Sequence, residues 1–318
     1  MDFINVTIAS DNNYAQHVAV VVASILCNTK TPSAVRFFIL NDNISHQYID
    51  LISKTVTNLN GNVEFINVSD LSVFNRVYLS GHISKAAYFR LYLPNVLPAN
   101  VKKVIYLDVD LIVNRDIVEL WKADIGNYPI AAVSDFGILA SKRSMREKTK
   151  SLGTKIKRYF NSGVLVVNID EWRKKDYSAK IVQLFKRNNF THHDQDVLNK
   201  FFGENWYELP LEWNVIPPVF CLAPKILFSG NFRRKAICAR RNMFICHYAG
   251  RYKPWEFSLY KGFNDDYYKY LSLTNFKDMA MPKPGKDMRG KSILRQLFKS
   301  KLADCISYLF YKFYTNSF

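Results

Sequence analysis

The run Val104-Ile105-Tyr106-Leu107-Asp108-Val109-Asp110 ends an apolar stretch in two carboxylates two residues apart. On a strand, residues i and i+2 share a side, so Asp108 and Asp110 can converge on one point at the strand's carboxyl edge. Two carboxylates held that close repel each other unless a cation lies between them. A hard divalent ion takes such oxygen ligands and shares them with phosphates. The chemistry this pair could do is therefore to hold a diphosphate, as in a nucleotide-sugar. The alternative is two solvated loop aspartates after a strand.

Further along, His247 follows the apolar Met243-Phe244-Ile245-Cys246 and is a candidate third ligand, whose nitrogen tilts the choice of ion from Mg²⁺ towards Mn²⁺. A histidine that simply packs after a strand is the alternative. Gly250 permits close backbone approach to a phosphate, and Lys253 can neutralise its charge. In the turn Ala9-Ser10-Asp11-Asn12-Asn13-Tyr14, the polar side chains could hold a ribose or base and Tyr14 could stack on a uracil, or the segment is an ordinary helix cap. Arg90 sits alone in the apolar run Tyr88-Phe89-Arg90-Leu91-Tyr92-Leu93-Pro94, so it is either paired inside the fold or aimed at an anionic ligand. Asn161 and Gly163 stand just before a buried strand, where backbone could approach a sugar. Asp194 and Gln195, in His192-His193-Asp194-Gln195-Asp196, open a helix and either cap it or face sugar hydroxyls.

The elements that must position these groups are legible as alternating patterns. Apolar, β-branched runs predict strands at Ile4 to Ala9, Val35 to Leu40, Val63 to Val68, Val104 to Leu107, Ile130 to Val133 and Val164 to Asn168. Helical periodicity fills the gaps, as at Ala15 to Cys27 and Ser45 to Leu59. This βαβ alternation predicts an α/β fold with a mostly parallel sheet covered by helices. Ligands bind such sheets beyond the carboxyl ends of the strands, near where strand order reverses. Several of the candidate groups follow strands directly.

The 318 residues are 48% hydrophobic, enough to bury a sizeable core and too many for wholesale disorder. The formal net charge of +17 is local. Residues 141–160 carry eight cations against Glu147 alone, and five more cations fall within 231–241. A third excess lies in 283–318. Such clusters suit anionic partners: a membrane surface, phosphorylated glycans or, least of all, nucleic acid, since no zinc-finger, RRM-like or basic-zipper pattern is found. The five cysteines form no CxxC pair and suit a reducing compartment. Val18 to Leu26 has no cation before it, so it reads as a buried helix rather than a signal-peptide core. No stretch reaches the ~18 apolar residues of a membrane span. The expected location is cytoplasmic, with any membrane attachment peripheral.

Taken in order, DNNY, YFRLYLP, YLDVD, YFNSGV, HHDQDVLN, LPLEWN and HYAGRYKPW resemble the motifs of the family 8 retaining glycosyltransferases, especially the bacterial lipopolysaccharide glucosyl- and galactosyltransferases. The resemblance covers roughly residues 3 to 260. It implies a GT-A nucleotide-sugar-binding fold over 1–275 and a C-terminal membrane-association region over 276–318. It also implies Mn²⁺, with Mg²⁺ as the alternative, held by Asp108, Asp110 and His247. The donor would be UDP-glucose or UDP-galactose. Asp11, Asn13 and Tyr14 would contact the nucleoside, with Val109 beside them. Arg90, Asn161, Asp194 and Gln195 would line the donor sugar, and Gly250 and Lys253 would hold the diphosphate. Gln195, Asp194 and Lys253 carry the catalytic expectation, and the implied acceptor is the lipopolysaccharide core. A capsule, another glycolipid or a protein acceptor is the second reading, and a catalytically silent UDP-sugar-binding protein the third. After the flexible-looking Pro282 to Gly290, Ile293, Leu294, Leu297, Phe298, Leu302, Ile306, Leu309, Phe310 and Phe313 recur at helical spacing among Arg295, Lys299, Lys301 and Lys312. That pattern predicts a helix lying on an anionic membrane, or one packed on the catalytic domain. The basic segment Lys142 to Arg158 is expected to be a loop, which either recognises a phosphorylated glycan, closes over the donor or is simply solvated.

Overall fold

The computed structural model describes residues 3–68, 85–186, 190, 193–250, 253–256 and 264–279. The amphipathic pattern from Ile293 onward, His192 and Cys305 lie outside the described residues. Among the described residues, no helix is long and apolar enough to cross a membrane.

Among the described residues, nine strands form: β1 (Ile4–Asp11), β2 (Val35–Asp42), β3 (Asn62–Asn67), β4 (Lys103–Leu107), β5 (Leu111–Val113), β6 (Ile130–Ser134), β7 (Phe160–Asn168), β8 (Tyr207–Glu208) and β9 (Ile245–His247). Seven of them make one sheet in the order β3-β2-β1-β4-β7-β6-β8. It is mostly parallel, and β7 runs antiparallel to both β4 and β6. The predicted strands are all present. The near-continuous apolar character of the central strands follows from burial on both faces, whereas the edge strand β3 alternates exposed and half-buried residues.

Strand order reverses at β1, which pairs with β2 on one side and β4 on the other. The crevice above that switch point is bordered by Asp11 at the end of β1 and by Asp108 just after β4.

Helix α1 (Ala15–Asn28) is buried along almost its whole length, from Ala15 to Leu26, with only Gln16 half-buried among them. It lies between the sheet, helix α2 (His46–Asn58), β5 and the helix Asn264–Leu271. A helix apolar on all sides needs cover on all sides, which explains a sequence that resembles a signal core. Ser24, its one hydroxyl there, donates to Val21 O at 2.7 Å and accepts from Val113 N at 3.0 Å. Phe276 is fully buried and meets Tyr48 of α2 edge-on, so the packed core extends to that residue.

Two expectations need correction. β4 stops at Leu107, so Asp108 and Asp110 stand on the bend beyond the strand and converge through that bend rather than through strand alternation. The basic segment is not a loop in its first part: Lys142–Leu152 is a helix, capped by Ser141, whose hydroxyl accepts from Ser144 N at 3.1 Å. Charge density hid a good helical sequence behind a cationic face.

His17 of α1 stacks on Trp255 with ring centroids 3.6 Å apart, and its Nδ1 lies 2.6 Å from the Tyr267 hydroxyl. Burial lowers its pKa from 6.5 to about 3; nearby Asp110 opposes the shift and Lys253 adds to it. A base whose folded pKa is depressed takes its proton first in the unfolded chain, so stability is lost as pH falls from about 6.5 towards 3. The loss from this group is about 1.4 kcal/mol per pH unit inside that window. Denaturant melts at pH 6, 5 and 4 should therefore fall more steeply for the native protein than for His17→Gln, and parallel slopes would exclude His17 as the source.

Candidate functional site

Three segments far apart in sequence meet at the switch point. The small antiparallel pair of β5 and β9 opposes Leu111 to His247, which carries the histidine beside Asp110; Tyr248 N also donates to Asp110 O at 2.8 Å. On the other side β7 runs along β4, and Asp108 N donates to Gly163 O at 2.9 Å. The β6/β7 register shifts between Ala132 and Val133, a bulge that turns Asn161, Ser162 and Gly163 towards the same point. Asn161 thus lies within the strand, not ahead of it. Gly163 has no room for a side chain: a Cβ would lie 2.7 Å from Asp108 Oδ2 and closer still to the His247 ring.

Asp108, Asp110 and His247 each offer one ligand atom, and these atoms all lie within 4.8 Å of one another. His247 Nε2 is 3.2 Å from Asp110 Oδ1 and 3.8 Å from Asp108 Oδ2. Two carboxylates and an imidazole within that span fit a divalent ion. Asp110 also meets the Lys253 ammonium, which donates to Tyr248 O at 3.0 Å as well. Burial would raise the Asp110 carboxyl, but Lys253 and His247 beside it hold it well below the usual range. Between His247 and Lys253 the chain passes Gly250 at φ +91°, a conformation that a side chain would strain.

Arg90, 4% exposed, resolves its two alternatives in favour of pairing. Its Nη2 donates to Asp108 Oδ1 at 2.7 Å, its Nε lies 3.1 Å from Asp194 Oδ2, and Nη1 donates to Ser162 O at 2.6 Å. The guanidinium also lies over the Tyr106 ring, 4.5 Å from its centroid. Arg90 thereby joins the carboxylate beyond β4 to the carboxylate that opens the helix His193–Phe202. The Asp194 side chain accepts from Ser162 Oγ at 2.9 Å as well as from a backbone N–H of the first helical turn. Burial raises its pKa, with Arg90 opposing and Asp108 adding to the rise. Gln195 Oε1 accepts from Asn161 Nδ2 and Ser162 N at 3.1 and 3.2 Å, and its Nε2 donates to Asp135 Oδ2 at 3.1 Å.

Arg90, Asp108, Asp110, Asn161, Asp194, Gln195, His247 and Lys253 thus form one connected group. Asp11 is used locally, accepting from Asn13 N and Tyr14 N as a helix cap, and Asn13 is exposed beside it. Tyr14 makes ring contacts with His17 and Trp255, and burial together with the nearby Asp110 carboxylate raises its pKa. Val109 is half-buried against the core.

Four participants were not singled out from sequence. Asp135 ends β6 as Asp108 ends β4, and a carboxylate directly after an apolar run was the available signal. Ser162 and Asn214 lie inside recognised motifs but carry no charge that would draw attention. Asn199 clamps its helix to β7, accepting from Phe160 N and donating to Phe160 O, both at 2.9 Å. The basic helix is tied to the same place: Lys148, buried, donates to both oxygens of Asp196 at 2.6 and 2.8 Å, and Tyr159 donates to Asp196 Oδ1 at 2.5 Å.

A sequence model of glycosyl transferase family 8 matches residues 5–258. General stress protein A of Bacillus subtilis is 29% identical over 289 residues, covering 88% of this chain and 97% of that protein. The lipopolysaccharide 1,2-glucosyltransferase of Escherichia coli K12 is 26% identical over 277 residues, 86% of this chain and 78% of that one. The solved structure of galactosyltransferase LgtC with donor and acceptor sugar analogs superposes with a TM-score of 0.71 at 25% identity, over 85% of this chain and 96% of LgtC.

Two substitutions test this geometry. Gly163→Ala should push apart His247 and Asp108 and weaken divalent-ion binding by about 10- to 100-fold, measured by titration with Mn²⁺. Lys148→Met should remove the ammonium from the buried Asp196 and cost about 3–5 kcal/mol in urea unfolding, whereas the exposed Arg143→Met should leave the unfolding midpoint essentially unchanged.

Proposed function

Since this chain belongs to glycosyl transferase family 8 and is a glycosyltransferase, we propose that it moves glucose or galactose, with retention, from a UDP-sugar to the lipopolysaccharide core. The observation that carries the site assignment is the Asp108, Asp110 and His247 cluster, flanked by Lys253 and Arg90. Those three residues would hold Mn²⁺, which supplies positive charge to the departing diphosphate when bound. The E. coli relative, named for its transfer of glucose to lipopolysaccharide, supports the acceptor, and LgtC, named a galactosyltransferase, supports galactose as the other donor sugar.

The chain's own residues act around that charge. Lys253 sits three residues past the Gly250 turn, and its ammonium is available to the β-phosphate as negative charge develops there. Arg90, Asn161, Asp194 and Gln195 line the sugar. Gln195 holds its amide rigidly, because its carbonyl oxygen already accepts two N–H groups and its nitrogen meets Asp135. An oxygen so engaged is a poor nucleophile. Asp194 likewise has Oδ2 occupied by Arg90 and Ser162. Both features favour attack by the acceptor hydroxyl on the face the diphosphate leaves, with the leaving phosphate taking the proton, over a covalent intermediate of the glycosidase kind. Asp11, Asn13, Tyr14 and Val109 would meet the nucleoside. The proposal includes a cytoplasmic location and peripheral contact with an anionic membrane through residues 276–318, whose basic and apolar pattern suits one.

UDP release should be followed with UDP-glucose and UDP-galactose in parallel, with Mn²⁺, with and without truncated lipopolysaccharide. We expect metal-dependent turnover of one donor, stimulated by the acceptor, and a loss of about 100-fold or more in Asp110→Ala. Donor binding without turnover on any acceptor would identify a silent binding protein instead.

A further inference from the structure

A histidine ligates an ion only through a ring nitrogen that carries no proton, so the position of its single proton decides which nitrogen is usable. In this chain that choice is traceable to two backbone N–H groups. Backbone N–H can only donate. Gly163 N donates to Asn161 Oδ1 at 3.0 Å and Ser162 N donates to Gln195 Oε1 at 3.2 Å, so both contacted atoms must be oxygens. Asn161 then presents Nδ2 to Gln195 Oε1, and Gln195 turns Nε2 to the Asp135 carboxylate. Asn161 Oδ1 accepts a second bond, from Asn214 Nδ2 at 2.9 Å. That leaves the oxygen of Asn214 facing His247 Nδ1 at 2.8 Å. An amide oxygen only accepts, so Nδ1 carries the proton and the Nε2 lone pair points at Asp108 and Asp110.

The three amides that make this relay are all buried: Asn161 is 9%, Gln195 8% and Asn214 1% exposed, with His247 at 2%. Water therefore offers no substitute partner, and a reversed amide would set oxygen against oxygen. The fold holds Asn214 in position independently. It ends the short turn Leu211–Asn214, and the next residue, Val215, bridges to Cys246 of β9, with Val215 N donating to Ile245 O and His247 N to Val215 O.

We propose that Asn214 is the positioning residue for His247: through Oδ1 it holds the ring and its Nδ1 proton so that Nε2 is the ligating nitrogen. The same amide chain ties the ring to Gln195 and Asp135 on the side assigned to the sugar. This inference rests on the divalent-ion site proposed above, and the control separates the two.

The test is Mn²⁺ titration of the full chain in the presence of UDP, following free Mn²⁺ by electron paramagnetic resonance, for the native protein, Asn214→Leu and Asn214→Asp. The expected result is an affinity about 10- to 100-fold weaker for Asn214→Leu, with turnover recovered in excess Mn²⁺, and within about threefold of native for Asn214→Asp, whose carboxylate accepts the same bond. A merely structural role predicts the reverse order, because leucine fits a buried site better than an unpaired carboxylate. Native affinity in Asn214→Leu, or equal loss in both variants, overturns the assignment while leaving the metal site intact. A native protein that binds no Mn²⁺ removes both. Should Asn214→Leu fail to fold, ¹⁵N-histidine spectra of the native protein with Zn²⁺ and UDP decide the matter: a protonated Nδ1 and ligated Nε2 on His247 support the proposal, and ligation through Nδ1 overturns it.

Discussion

Asp108, Asp110, Asp135, Asp194 and Asp196 crowd the carboxyl ends of β4 and β6 and the start of the helix His193–Phe202, and all but Asp108 are buried. Carboxylates taken from water and set near one another are unfavourable unless each finds a cation or donors. The surrounding structure reads as the set of answers to that problem. Arg90 lies between Asp108 and Asp194, Lys253 and His247 attend Asp110, Lys148 and Tyr159 attend Asp196, and the Gln195 amide meets Asp135. Each compensating group comes from a different part of the chain, so the fold must be complete before the charges are balanced.

That requirement explains features with no local reason to exist. The bulge in β7 delivers Ser162 to both Arg90 and Asp194, and the glycine after it leaves space for Asp108 and the His247 ring. The short pairing of β5 with β9 buries all six of its residues and sets His247 beside Asp110. The basic helix Lys142–Leu152, whose charge suggested a solvated loop, is anchored by Lys148 two residues from Asp194. Its remaining cations are largely exposed, which gives the surface beside the site its positive character.

Membership of glycosyl transferase family 8 is consistent with this economy. The matched residues, 5–258, take in β1 to β9 with their intervening helices, apart from one residue at the start of β1, and so contain the whole charged cluster. The charged cluster stands beyond the carboxyl ends of β4 and β6, beside the switch point between β1 and β4, where sheets of this kind bind ligands.

Much of this was legible in the amino-acid order. Alternation of apolar runs and helical periodicity placed the strands β1 to β4, β6 and β7 and the helices α1 and α2 within a few residues, because burial of backbone-paired segments demands those patterns. The spacing of Asp108 and Asp110 and the lone Arg90 in an apolar run marked the site, since charge in such surroundings needs a partner. What sequence could not supply was the identity of the partners. Asn214, Ser162, Asp135 and Asn199 are ordinary polar residues in one dimension, and their roles come from hydrogen bonds that span 32 to 60 positions. The segment Lys142–Leu152 carries its own helical cap at Ser141, but only packing reveals that Lys148 is buried against Asp196 across 48 positions. Local patterns are set by the chain's own periodicity and burial, whereas the pairing of buried charges and the direction of buried amides are decided only when distant segments pack and exclude the water that would otherwise satisfy them.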